Sequence, residues 1–160
     1  MILRLSLEEG FFLIYAMNCI EIYDGSQKLS IEQCWNLFSN ADPNFIKCYI
    51  IYHHFRSKGW IVKSGEKFAG NYILYKNGPQ FFHATYIVII DTENSASSDK
   101  KQWKQILPII RVAETCKKEV IIARIITHGI TSFEGVKTPM NLSSVSVHET
   151  LVQRWFISDK

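Results

Sequence analysis

Tyr75 and His83 stand on either side of Lys76-Asn77-Gly78-Pro79, a turn sequence, so they end adjacent elements and can converge in space. A phenol and an imidazole in that relation suit proton transfer. Tyrosine's reference pKa is about 10, so it acts as a base only with positive charge nearby. Histidine titrates near neutrality and serves as acid or base. A lysine, Lys118 or its neighbour Lys117, would add a compact charge suited to a non-bridging phosphate oxygen. Together these three side-chain types can cut RNA. The base takes the 2′-OH proton, the acid protonates the leaving 5′-oxygen, and the cation offsets charge growing on the phosphorane. The ends left are a 2′,3′-cyclic phosphate and a 5′-hydroxyl. Spacing alone does not select the set, because a chain with 7 Tyr and 5 His offers many such pairs. Tyr75 reads equally well as a strand aromatic, His83 as a polar strand start, and Lys118 as an exposed lysine ahead of a buried strand.

The elements that would position these residues fall into two parts. Ser6-Leu7-Glu8-Glu9 is a capping-box pattern opening a helix over residues 6–17, apolar around most of its circumference and therefore mostly buried. Asp24-Gly25-Ser26 marks a turn, and Ser30-Ile31-Glu32-Gln33 repeats the capping box ahead of a second helix with Cys34, Trp35 and Phe38. Asp42 suits an N-cap and Pro43 a first helical position, so a third helix is predicted from there to about Lys58, stopped by Gly59. Beyond Gly59 the period changes. Residues 60–63, 72–75 and 85–90 are short β-branched and aromatic runs between turn residues. Residues 93–100 read as a surface loop. Residues 101–117 follow a helical period through Trp103, Ile106, Leu107, Ile110 and Ala113, with Pro108 expected to kink or split the helix. Residues 119–126 form a central apolar strand interrupted by Arg124, and 145–157 a last strand. The fold class is α+β or mixed α/β: a helical module at residues 1–44 and a second domain at 45–160.

Bulk properties set outer limits. The apolar fraction of 47% supports a close-packed core, and no apolar run reaches the roughly 20 residues of a membrane-spanning helix. Arg4, Glu8 and Glu9 interrupt the first apolar stretch, which argues against a signal peptide. A net charge of +3 is compatible with a polyanionic partner, although most of the lysines and arginines read as ordinary solvated charge. Cys19, Cys34, Cys48 and Cys116 form no CxxC pair, so a zinc site is not expected; reduced, buried thiols are. No PD…ExK-like carboxylate cluster falls on the predicted strands, which speaks against a metal-dependent nuclease. His53 and His54 fall in the third helix, and Tyr52 and Phe55 beside them suit the core better than base stacking.

Three stretches together carry a resemblance. They are Tyr52-His53-His54-Phe55-Arg56-Ser57-Lys58-Gly59-Trp60-Ile61-Val62-Lys63-Ser64-Gly65, then Leu74 to Pro79 with His83-Ala84-Thr85-Tyr86, and Arg111-Val112-Ala113 through Lys118-Glu119-Val120-Ile121-Ile122. In this order they resemble the catalytic domain of tRNA-intron (tRNA-splicing) endonucleases, a restriction-endonuclease-like domain. Leu5 to Leu13 and Val152-Gln153-Arg154-Trp155 extend the likeness over nearly the whole chain, most of all to eukaryotic catalytic subunits that cut the 5′ splice site. The resemblance implies Tyr75 as base, His83 as acid and Lys118 as transition-state cation. Lys118 is preferred to Lys117 because the family lysine precedes one residue and then the aliphatic strand. No metal and no cofactor are implied. Arg111 and Trp155 stand at the family's arginine and tryptophan, which sandwich a splayed nucleotide by cation–π stacking and serve a partner's scissile phosphate; a solvated helix arginine and a core tryptophan are the plain alternatives. The implied substrate is precursor tRNA. The implied partners are structural and second catalytic subunits of a heterotetramer, with a homo-oligomer as the simpler form, and the implied residence is nuclear, the cytoplasm being the alternative. A non-catalytic tRNA-binding subunit of the same complex is the competing reading. Two departures stand out. Glu66 replaces an apolar residue and would raise the Tyr75 pKa if it pointed inward, and Ala69-Gly70-Asn71 replaces a Gly-x-Asp type run.

Overall fold

The computed structural model describes residues 3–80, 82–92, 103–128, 136 and 138–153. Helix α1 (Leu7–Tyr15) starts at Ser6, whose side chain accepts the Glu9 N–H while the Glu9 carboxylate accepts the Ser6 N–H. Helix α2 (Ile31–Ala41) repeats the reciprocal cap with Ser30 and Gln33. Between them a short hairpin, β1 (Tyr23–Asp24) and β2 (Gln27–Lys28), closes around Gly25 at φ +59°. Helix α3 (Phe45–Ser57) begins later than the sequence suggests. Asp42 does not cap the helix; its carboxylate accepts the Asn44 N–H at 2.8 Å, an Asx turn that carries Pro43 outside the first helical turn. Gly59, at φ +86°, ends the helical segment as predicted.

A five-stranded sheet follows in the order β3 (Ile61–Ser64), β4 (Tyr72–Tyr75), β5 (Tyr86–Thr92), β6 (Glu119–Thr127), β7 (Val145–Val152). All neighbours are antiparallel except β5 and β6, which the crossover through α4 (Trp103–Thr115) makes parallel. Each face of the sheet has its own core. On one, Val62, Leu74, Val88, Ile121 and Ile125 meet the buried faces of α1, α2 and α3, where Phe11, Trp35, Phe45 and Tyr49 pack edge to face. On the other, Ile73, Ile87, Ile89 and Val120 meet Ile106, Ile109 and Ala113 of α4. Successive strand residues point to opposite faces, so one sheet serves both layers. Tyr52 and Phe55 are core residues, as expected.

Three sequence expectations need correction. Of the kink or split expected at Pro108, the split does not occur: helix α4 runs continuously through it, with Ile106, Ile109 and Ala113 buried against the sheet and the proline ring on the exposed side. Its buried stripe is turned from the one predicted, since Leu107 is 46% exposed and Ile109 is buried. Cys34 is buried, but Cys19 and Cys116 are exposed, because both follow helix ends. All four cysteines are free thiols. No described helix is long and apolar enough to cross a membrane.

Candidate active site

Tyr75 ends β4. In the sequence Tyr-Ile-Leu-Tyr, Tyr72 and Leu74 enter the first core, while Ile73 and Tyr75 turn to the α4 side. The phenol is therefore half-buried against the second core at one end of the sheet. The β4–β5 ladder runs to Leu74 opposite Tyr86, and beyond it the Thr85 N–H donates to the Leu74 carbonyl at 2.8 Å. The β5–β6 ladder begins with Tyr86 opposite Glu119, whose N–H donates to the Thr85 carbonyl at 3.1 Å. That Thr85–Leu74 bond lies one residue out of the ladder's register, as at a bulge, so Ala84 rather than the exposed Thr85 joins the second core with Tyr75, while Lys118 stands just ahead of β6 on the other flank of β5. Two strand spacings separate β4 from β6, about 10 Å between backbones. Side chains as long as tyrosine and lysine can close on one phosphate across such a gap.

Lys118 reaches this end of the sheet through the end of α4. The Lys118 N–H donates to the Ala113 carbonyl at 2.8 Å and the Lys117 N–H to Glu114 at 3.0 Å, with Lys117 at φ +52°. This is a Schellman ending with Lys117 at the left-handed position. Its backbone turns the chain out of the helix and leaves its side chain exposed. Lys118 is half-buried instead: its Nζ donates to the Cys116 carbonyl at 3.2 Å and lies 5.1 Å from the centroid of the Phe68 ring. Beside it opens a groove of about 450 Å³ lined by Ile110, Glu114, Lys118, Glu119 and Gln153 among others.

His83 is exposed in the connection between β4 and β5, two residues ahead of Thr85 and at the same end of the sheet. Arg111 is exposed on α4, two helical turns before Lys118. Trp155, its expected companion, lies outside the described residues. Glu66 is exposed and lines a different groove, with Glu8, Glu9 and Lys63, whose walls do not include Tyr75. Asn71 ties the turn before β4 to β5: its N–H donates to the Val88 carbonyl at 2.8 Å and its Oδ1 accepts the Ile90 N–H at 2.9 Å. His53 shares a 3.0 Å hydrogen bond with the Tyr49 hydroxyl, and burial lowers its pKa. Sequence reasoning passed over Phe68. It is one aromatic in a polar connection, and only its place over an ammonium distinguishes it.

Residues 45–131 match the model of the tRNA intron endonuclease catalytic C-terminal domain, and residues 2–35 that of the tRNA intron endonuclease N-terminal domain. The chain belongs to the tRNA intron endonuclease family. That bears out the resemblance read from its motifs. Among its relatives, tRNA-splicing endonuclease subunit Sen2 of Mus musculus is 38% identical over 160 residues, 98% of this chain and 35% of the mouse protein. Subunit SEN2 of Saccharomyces cerevisiae is 30% identical over 155 residues, 96% of this chain and 41% of the yeast protein. The tRNA-splicing endonuclease of Sulfurisphaera tokodaii is 34% identical over 128 residues, 79% of this chain and 68% of the archaeal protein. The chain thus spans about a third of the length of its mouse relative. The order of N-terminal helices and mixed α/β layers is that of a tRNA intron endonuclease N-terminal domain followed by a catalytic domain.

Proposed function

We propose that this chain is a catalytic subunit of a tRNA-splicing endonuclease, cutting precursor tRNA at an exon–intron boundary by attack of the 2′-OH on the adjacent phosphate. Tyr75 takes the 2′-proton, His83 protonates the leaving 5′-oxygen, and Lys118 holds the non-bridging oxygen on which charge develops. The products carry a 2′,3′-cyclic phosphate and a 5′-hydroxyl, and the bond changes need no metal. The observation that supports this reading best is that Tyr75 at the end of β4 and Lys118 just ahead of β6 flank β5 at one end of the sheet, with His83 in the exposed connection that leads into β5. Family membership, and relatives named as tRNA-splicing endonuclease subunits, supply the substrate.

The same reading gives Arg111 and Trp155 to a clamp on a splayed nucleotide beside a partner subunit's scissile phosphate. It sets the chain in a multi-subunit complex with a structural and a second catalytic subunit, in the nucleus. The deciding experiment incubates the assembly isolated through a tag on this chain with precursor tRNA in excess EDTA, comparing wild type with His83→Ala. Cleavage that survives chelation, leaves cyclic-phosphate ends and disappears in the variant supports the triad. Loss of cleavage on chelation refutes it. An assembly that binds tRNA without cutting it in wild type makes the chain a structural subunit instead.

A further inference from the structure

The Lys118 ammonium has neighbours of two kinds. The Cys116 carbonyl, two residues back along the chain, accepts one of its N–H groups at 3.2 Å. The Phe68 ring lies 5.1 Å away, within the range over which the negative face of an aromatic ring attracts a cation. Phe68 comes from a distant part of the fold, a 3-10 turn (Glu66–Phe68) between β3 and β4, and packs against the second core together with Tyr75. That turn is rigidly set. A Cβ on Gly65 would sit 2.8 Å from the Tyr72 backbone nitrogen, carbon and oxygen, so the loop backbone lies directly against β4. Beyond Phe68, the Gly70 N–H donates to the Gly65 carbonyl at 3.2 Å, and Asn71 is bonded to β5 on both its backbone and its side chain.

We infer that Phe68 is the positioning residue for Lys118, holding its ammonium over the ring so that it faces the phosphate gripped between Tyr75 and His83. The inference rests on the proposed role of Lys118. A ring suits this task better than a carboxylate. It attracts the charge through its quadrupole without cancelling it, and it takes none of the lysine's strong hydrogen bonds. Among the described residues Cys116 accepts one of its three N–H groups, which leaves two for a phosphate oxygen. An ion pair would instead neutralise the charge that the transition state requires. Lysine is a flexible four-carbon chain, and an unheld ammonium must be ordered during the reaction, at a cost in rate.

The test is the cleavage rate of the tagged assembly at saturating precursor tRNA, together with KM, for Phe68→Leu, Phe68→Tyr and Lys118→Ala. Leucine keeps an apolar side chain in the second core but has no π face; tyrosine keeps the face. Expected are a fall in kcat of about two- to fivefold for Phe68→Leu, the size of an exposed cation–π contact, with KM unchanged and with near wild-type kcat in Phe68→Tyr. A wild-type rate in Phe68→Leu overturns the inference. So does equal slowing of Leu and Tyr variants with a matching drop in melting temperature, because the ring would then serve packing alone. Full activity in Lys118→Ala overturns the underlying role of the lysine; loss of activity there with an unaffected Phe68→Leu removes only Phe68.

Discussion

Lys117 and Lys118 are neighbours with divergent tasks: Lys117 bends the chain at φ +52°, and Lys118 carries the cation to the sheet end over Phe68. The distinction comes from the Schellman ending of α4, in which only one residue can occupy the left-handed position. A non-glycine residue there is strained by about 1–2 kcal/mol. Lys117→Gly should therefore leave cleavage intact and raise stability by up to about 1 kcal/mol, after allowing for the freer unfolded chain. Lys118→Ala should leave the fold intact and cut the cleavage rate by about 10²–10³, the usual cost of removing one transition-state donor. Rates and melting temperatures for the pair settle the assignment. If Lys117→Gly were the inactive member, the catalytic cation would be Lys117.

Tyr75→Phe removes one oxygen from a half-buried ring that packs on the second core. The expectation is a loss of about 10²–10⁴ in single-turnover cleavage, the range ascribed to a positioned general base, with little change in melting temperature or tRNA affinity. His83→Ala should act alike, since His83 is exposed and its loss costs the core nothing. A weakened tRNA affinity with an unchanged rate would move either residue from chemistry to binding.

How legible these features were depended on how local they are. Ser6 and Ser30 announce their helices through partners three residues on, and both capping boxes form as read. The strand at residues 72–75 and its exit at Tyr75 follow from a four-residue pattern between turns. Asp42-Pro43 misled because an Asx turn and an N-cap use the same side chain, and only the backbone that follows separates them. The stripe of α4 was misjudged at Leu107, since a helix with apolar residues on two sides leaves its buried face to the sheet. Purely non-local contacts were invisible. Arg124 appeared as a blemish in an apolar strand, yet it stands opposite Asp91 on β5 and binds its carboxylate at 2.9 and 2.8 Å. Phe68 escaped for the same reason, because its partner lies 50 residues away by subtraction.

The turn carrying Phe68 ends at Ala69, at φ +56°. Ala69→Gly should relieve left-handed strain and raise the melting temperature by about 2–4 °C per kcal/mol gained. Gly65→Ala should do the reverse, by about 1–3 kcal/mol, because its methyl would meet the Tyr72 backbone, which cannot rotate away as a side chain could. Thermal melts of the two variants check this. A Gly65→Ala variant as stable as wild type would mean that the turn is not pressed against β4.

Acid should weaken the contact between α3 and its surroundings in two separable steps. Burial, reinforced by His54, holds the His53 imidazole below its ordinary value, so the fold favours the neutral ring. The unfolded chain takes up that proton near pH 6.5, so the contribution is present above this pH and is lost as pH falls towards the folded value. Glu149 on β7 titrates lower. Burial pushes its carboxyl up, but hydrogen bonds from Lys58 and from His54 at 2.6 Å outweigh this and leave it below its usual range. Its contribution is present above the ordinary carboxylate range, about pH 4.3, and is lost only below it. Unfolding midpoints in urea at pH 7, 5 and 4 should therefore fall in both intervals for wild type. His53→Gln should flatten the interval from 7 to 5, and Glu149→Gln the acid end alone. A His53→Gln variant with the wild-type slope between pH 7 and 5 would show that another group governs the first step.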